Sequence, residues 1–272
     1  MRDRPMPHLL LSGGAGLGKT SLARAVATEL GRRPAMTSGP AVQNPFILIG
    51  LLTRIESGGL IFLDEIHDLP QKVAEMFYEA LEDRTLSLPV AFGVATRTLT
   101  LKLEPFTLLG ATTEPDRVIA PLRARFGFQE ELEPYETEDL VAMAVRAAEK
   151  EHLALDPAAA LVLAGAAHGT PRELLRLFAR VGDAAMARTR QTIDPDFARE
   201  VLHDLGIDER GLGPVHRRIL EALQCAGRRA LSLSRLAAIV QVSVRALKDV
   251  YEPPLLRLGL VAVTTRGRAL AT

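Results

Sequence analysis

Gly13-Gly14-Ala15-Gly16-Leu17-Gly18-Lys19-Thr20 follows directly on the apolar run His8-Leu9-Leu10-Leu11. Its spacing, G-x-x-x-x-G-K-[ST], is that of a phosphate-binding loop. Four glycines permit φ > 0 where the turn needs it, so that successive backbone N–H groups converge on a polyphosphate. Lys19 is placed to reach the β- and γ-phosphates, and the Thr20 hydroxyl to ligate Mg²⁺. From Ser21 to Leu30, Leu22, Ala25, Val26 and Leu30 share one helical face, so the loop opens a helix at its positive end. A glycine-rich turn beside a surface lysine is the bland alternative; strand, loop and helix in this order argue against it. The candidate nucleotide contacts are Gly13, Gly16, Leu17, Gly18, Lys19, Thr20 and Ser21.

The chain has 272 residues, no Trp and a single cysteine, Cys225. That length suffices for two or three domains with a sizeable core. No apolar run of membrane-spanning length and no signal peptide stand out, which points to a soluble, cytoplasmic protein with no membrane partner. Cys225 falls in the helical pattern of Ile219, Leu220 and Leu223 and reads as a small core residue. Net charge is zero but uneven: Gly211 to the end holds nine Arg and one Lys against three acids, +7, leaving −7 for the rest. A basic C-terminal piece on an acidic nucleotide-binding piece suggests a polyanionic partner; the alternative is an arginine-rich solvated surface.

Leu60-Ile61-Phe62-Leu63-Asp64-Glu65 is an apolar run ending in two acids, the pattern of a central parallel strand covered on both faces. Acids at its end fall on the edge where α/β sheets bind ligands. Asp64 is expected to hold Mg²⁺ and Glu65 to orient or deprotonate the attacking water. His67, in the following turn, reads as a packing or hydrogen-bonding residue. Arg32–Ser38 reads as a short second strand and Pro45–Ile55 as a largely buried helix. Pro70–Arg84 forms an amphipathic helix, and alternation through Leu86–Leu103 reads as a β-hairpin. Val90, Phe92 and Val94 at its apolar tip are a candidate docking site for a protein partner, unless the tip packs on its own domain. Phe106–Thr113 is a second buried strand ending in Thr112 and Thr113, where a hydroxyl could sense the γ-phosphate. Arg123 and Arg125 follow, then a last strand over Gly127–Leu132.

Beyond Tyr135 the pattern becomes helical: Thr137–Glu151, Asp156–His168, Pro171–Arg188 and Asp194–His203. Asp156-Pro157 and Asp194-Pro195 have an N-cap aspartate before a first-turn proline. After the linker Gly206–Gly213, helices over Pro214–Ala226, Ser232–Val240 and Ser243–Leu258 precede two short strands, with Arg266-Gly267-Arg268 at the tip between them. Three helices and a two-stranded wing make a winged helix, whose commonest use is nucleic-acid binding; protein binding is the alternative. The reading is α/β: residues 1–135 a parallel-sheet ATPase core, 136–210 a helical lid and 211–272 a winged helix.

Taken together these motifs resemble the RuvB family, the Holliday-junction branch-migration motors of the AAA+ class. The resemblance spans essentially the whole chain. It rests on Gly16–Thr20 (GLGKT), Thr37–Pro40 (TSGP), Leu60–His67 (LIFLDEIH), Pro105–Thr113 (PFTLLGATT), Ala120–Gly127 (APLRARFG), Gly169–Arg172 (GTPR) and Thr264–Thr272 (TTRGRALAT). It implies an ATP-hydrolysing motor with Mg²⁺, working as a hexameric ring on double-stranded DNA at four-way junctions. Thr112 or Thr113 is then the first sensor and Arg172 the second. Tyr135 lies beside the adenine, and Arg125 is an arginine finger entering the neighbouring subunit's site. Glu82, Asp83 and Arg84 count among the nucleotide-contacting residues. Arg266 and Arg268 contact DNA phosphates, and the 86–103 hairpin docks a RuvA-like junction-binding partner.

The chain departs from the family pattern in places. The family carries further N-terminal residues that help close the adenine pocket, so adenine is expected to rest mainly on Tyr135 and the lid. Its GPPG is Gly13-Gly14-Ala15-Gly16 here, and Asp68 and Glu114 stand where arginine is usual. Val263 replaces one wing arginine. Two other readings are a divergent paralogue that binds ATP as a switch, and a protein-remodelling or clamp-loading AAA+ protein.

Overall fold

The computed structural model describes Met6–Phe92, Ala95–Gly227 and Arg229–Ala271, without the side chains of residues 89–97. It divides into two compact units, one holding the chain up to Gly14 together with Gly18–Glu133, the other holding Ala15–Leu17 with Pro134–Thr272.

In the first unit β1 (Leu9–Gly13) leads through the loop to α1 (Lys19–Glu29), followed by β2 (Ala35–Ser38), α2 (Pro45–Leu52) and β3 (Gly59–Asp64). Then come α3 (Gln71–Asp83), the hairpin strands β4 (Thr85–Phe92) and β5 (Ala95–Lys102), β6 (Phe106–Thr112), α4 (Ala120–Arg123) and β7 (Phe128–Leu132). The sheet is parallel, in the order β2-β3-β6-β1-β7. Every residue of β6 is buried, as are Leu60–Leu63 of β3. Interior parallel strands lie under cover on both faces, which is why they are apolar without alternation. On α3 the buried residues Val73, Ala74, Phe77 and Ala80 form one stripe, as the helical spacing requires.

Expectation and structure part at α2. That helix is not largely buried: Phe46 is 83% and Ile47 43% exposed, and only Leu48 and Leu52 are fully covered. A short helix that is apolar all round can turn only one face to the sheet. In the hairpin, Leu86 pairs with Leu101 and Leu88 with Leu99. Val94 and the side chains of Val90 and Phe92 lie outside the described residues.

The second unit begins with four helices, α5 (Thr137–Lys150), α6 (Pro157–Ala166), α7 (Pro171–Ala187) and α8 (Pro195–Asp204). Asp156 caps α6 by accepting from the Ala158 N–H (2.7 Å), and Asp194 caps α8 by accepting from the Phe197 N–H (2.8 Å). The parallel pair β8 (Ala154–Leu155) and β9 (Thr192–Ile193), too short to leave a periodic signal, ties the connection before α6 to that before α8. Leu163, Leu174, Leu177, Val181 and Phe197 centre its core.

The C-terminal part comprises α9 (Pro214–Ala226), α10 (Leu233–Val240), a broken third helix, and the antiparallel wing β10 (Val261–Thr264) and β11 (Gly267–Leu270). The third helix is α-helical over Val244–Ala246 and Glu252–Arg257, with a π turn over Leu247–Tyr251 between. Pro253 and Pro254 have no N–H for the carbonyls a turn earlier, so the helix widens ahead of them. Gly267 has φ +133°, and a Cβ there would lie 2.2 Å from the Leu231 carbonyl oxygen, so the wing needs glycine at this point. Cys225 is exposed, not a core residue: α9 buries Ile219 and Leu223, and a position two beyond Leu223 faces away.

His216, in the first turn of α9, accepts the Gly213 N–H at Nδ1 (3.0 Å), while its Nε2 is buried without a partner among the described residues. Burial, with His168 nearby, lowers its pKa to about 4. It is therefore neutral when folded but titrates at its ordinary value when unfolded, so unfolding takes up a proton between these limits. The contribution is complete above pH 6.5 and drains as pH falls towards about 4. The thermal midpoint should drop across that window, and His216→Gln should flatten the drop; an unchanged slope would remove His216 as its source.

Candidate active site

The registers Leu63↔Gly110 and Ser12↔Thr112 bring the ends of β3, β6 and β1 to one edge of the sheet. Three segments far apart in sequence meet there: the phosphate loop, Asp64-Glu65, and Thr112-Thr113.

The loop is built on backbone conformations closed to most side chains. Gly13, Gly16 and Gly18 have φ of +132°, +83° and +97°. A Cβ on Gly13 would sit 2.5 Å from the Leu132 carbonyl oxygen, so both the turn and the approach of β7 require glycine. Gly18 is the N-cap of α1, which has no side-chain cap and no acid in its first turn. Its leading N–H groups and helix dipole therefore face the loop and suit an anion. Lys19 is only 7% exposed, and its ammonium donates to the carbonyls of Gly13 (2.7 Å) and Gly14 (2.9 Å). A desolvated ammonium held at the loop mouth can hand those bonds over to phosphate oxygens.

Glu65 lies in the left-handed region, φ +47° and ψ +51°, a conformation that costs a non-glycine residue about 1–3 kcal/mol. What the turn provides is aim. The carboxylate accepts from the Thr113 N–H (3.2 Å) and hydroxyl (3.0 Å), while the Glu65 N–H donates to Asp64 Oδ1 (3.0 Å). Asp64 and Glu65 thus have different partners at the strand end, Asp64 the neighbouring backbone and Glu65 the end of β6. The two threonines also separate: Thr112 is fully buried, its Oγ1 2.9 Å from His67 Nδ1 and accepting from the Glu114 N–H (3.0 Å). Thr113 is the one that meets the acid. His67, itself buried, places Nδ1 3.3 Å from Glu65 Oε2, which accords with a hydrogen-bonding role.

Thr20 and Asp64 offer a hydroxyl and a carboxylate, hard oxygen donors of the kind Mg²⁺ takes when it keeps water and phosphate ligands as well. Among the described residues no group of three or more His, Cys, Asp or Glu could hold a metal by itself.

Not every expected residue gathers at this edge. Glu82, Asp83 and Arg84 end α3, which runs back from the β3 edge for 13 residues, roughly 20 Å. The structure sets Glu82 and Arg84 beside Met6–His8 and Phe106, where the strands begin and away from the loop of their own chain. Arg125 stands at that far edge too, three residues before Phe128, which pairs with the first residue of β1. It donates to Tyr78 Oη (3.1 Å) and to the Glu82 carboxylate, and these contacts hold its pKa above the ordinary value. Sequence reasoning passed over Tyr78, because nothing local links it to an arginine 47 residues on.

In the second unit the Arg172 N–H donates to the Gly16 carbonyl (3.3 Å), and the Tyr135 N–H to the Gly169 carbonyl (2.9 Å). The two wing arginines differ. Arg266 is exposed at the turn, whereas Arg268 lies in β11 and is bonded through Nε (2.5 Å) and Nη2 (3.1 Å) to the buried Glu252. Arg268 holds the wing to the third helix. It is not presented at the wing tip as expected. Among the described residues no helix is long and apolar enough to cross a membrane.

Fold and site together define a P-loop ATPase of the AAA+ class, carrying a helical lid and a winged helix. Family models match in sequence order: the Holliday junction DNA helicase RuvB P-loop domain over residues 1–132, the RuvB AAA lid domain over 135–208 and the RuvB C-terminal winged helix domain over 209–272. The chain belongs to the RuvB family. It is 43% identical to the Holliday junction branch migration complex subunit RuvB of Anaeromyxobacter sp., over 98% of this chain and 78% of that protein. The subunit of the same name from Pseudothermotoga lettingae is 38% identical over the same shares. The solved RuvB Holliday junction branch migration motor of Thermotoga maritima superposes with a TM-score of 0.88 at 37% identity, covering 99% of this chain and 86% of that one.

Glu65→Gln should keep nucleotide affinity and lower single-turnover ATP hydrolysis by about 10²–10⁴-fold, the range for loss of a general base. Undiminished hydrolysis would remove Glu65 from that role.

Proposed function

We propose that this chain is an ATP-driven branch-migration motor acting on Holliday junctions, and that its hydrolytic site is completed by a second copy of the chain. The observation that carries this reading is the gathering of Lys19, Asp64, Glu65 and Thr113 at one sheet edge while Arg125 stands at the other. In this reading the loop N–H groups and Lys19 bind the β- and γ-phosphates. Thr20 and Asp64 hold Mg²⁺, which would neutralise charge developing on the phosphates. Glu65 orients and deprotonates the attacking water, and Thr113 reports the γ-phosphate to it. Arg172 acts as the second sensor and Tyr135 borders the adenine.

Arg125 is separated from its own loop by the length of a five-residue strand, roughly 16 Å. It therefore serves a neighbour's site. One patch giving an arginine to a different patch is a heterologous contact, which closes into a ring at a suitable rotation; a hexamer is the ring this reading takes. The junction enters through the chemistry of the basic C-terminal part, with exposed Arg266 meeting DNA phosphates, and a RuvA-like partner docks on the 86–103 hairpin.

The decisive test is ATP turnover with and without four-way junction DNA. A motor is stimulated, and Arg266→Ala weakens that stimulation and reduces the salt dependence of DNA binding. Indifference to DNA would favour the protein-remodelling reading, and DNA binding without turnover the switch. Arg125→Ala should abolish turnover alone, yet turnover should return when that variant is mixed with Lys19→Ala subunits that keep Arg125. Absence of recovery on mixing would sink the assignment in trans.

A further inference from the structure

Arg125 does not project freely from its edge of the sheet. Its guanidinium lies over the Tyr78 ring, 4.7 Å from the centroid, and Nη2 donates both to Tyr78 Oη (3.1 Å) and to the Glu82 carboxylate. Tyr78 and Glu82 are four residues apart on α3 and so share a face. Both polar contacts fall on the same nitrogen. Among the described residues Nη1 makes none, and Nε is buried without a partner. The guanidinium is thus pinned at one corner and stacked on one face, with its remaining terminal nitrogen left to bond elsewhere. Planar recognition of phosphate by arginine needs such an orientation.

The charges are arranged to aim rather than to neutralise. Arg125 and Glu82 side chains are 33% and 38% exposed, so water screens their attraction and the pair binds only weakly. An arginine so held keeps its charge for a nearby anion but has few orientations to search.

We propose that Tyr78 and Glu82 are positioning residues for catalysis in trans: they hold Arg125 in the attitude in which it enters the neighbouring subunit's site. The proposal rests on the reading of Arg125 as a finger, and it gives Glu82 a role other than touching nucleotide. The two act through Arg125 and leave their own subunit's phosphate loop alone.

The test uses the full chain with Tyr78→Phe, Glu82→Gln and Arg125→Ala. Tyr78→Phe and Glu82→Gln should each lower kcat on the order of tenfold, as misplacement of a reacting group does, with KM for ATP and the melting temperature unchanged. Combined with Arg125→Ala, neither should lessen the turnover that returns on mixing with Lys19→Ala subunits. In rings mixed with wild-type chain, Glu82→Gln placed on a Lys19→Ala subunit should depress hydrolysis by its neighbours. An unchanged or raised kcat overturns the proposal, as does a tenfold weaker recovery of the double variants on mixing with Lys19→Ala subunits or a parallel fall in melting temperature. A rise in KM with kcat intact would make Glu82 a nucleotide contact after all. Full turnover by Arg125→Ala alone would sink the finger reading, and this proposal with it.

Discussion

Parallel pairing of β1, β6 and β3 in one register is the constraint on which the rest of the molecule depends. Parallel strands end on the same edge, so each can deliver its following residues to a common place, whatever their separation in the chain. The register puts Gly13, Asp64 and Thr113 at three consecutive strand ends. A one-residue slip in β3 would exchange inward and outward faces and move the acids relative to the loop. That register is held by burial: Leu10, Leu11, Ile61, Leu63, Leu108 and Leu109 are at most 2% exposed.

A second consequence is strain stored where the chemistry is. Glu65 takes a left-handed conformation immediately after a regular strand, and two hydrogen bonds from Thr113 hold it there. Such a turn persists only when its surroundings over-determine it, and buried His67 and Thr112 supply those surroundings. The acid is thereby tied to the end of β6, so a displacement of Thr113 is felt directly at the carboxylate.

The same parallel order separates Lys19 from Arg125. Lys19 opens the helix after β1, while Arg125 precedes the strand that pairs with the beginning of β1. No rotamer of either closes a strand's length. In the proposed reading the site divides its charge between copies of one chain, which would couple hydrolysis to assembly. Under that proposal Tyr78 and Glu82 matter because a finger reaching away from its own core gains most from being aimed in advance.

Much was legible in the amino-acid order alone. The loop spacing, the apolar runs ending in Asp64-Glu65 and Thr112-Thr113, the Asp-Pro helix starts and the basic C-terminal part all depend on interactions within a few residues. Period, capping and glycine conformation are local physics, so the sequence by itself determined the elements, their order and the chemistry of the phosphate loop. Tertiary structure decided what depends on distant partners. It turned Phe46 and Cys225 outward, paired Arg268 with Glu252, and set Glu82 against Arg125 instead of against the loop. The reason is physical: which face of a helix is covered, and which carboxylate an arginine meets, are settled by packing between segments tens of residues apart, and no local pattern records the other side of such a contact.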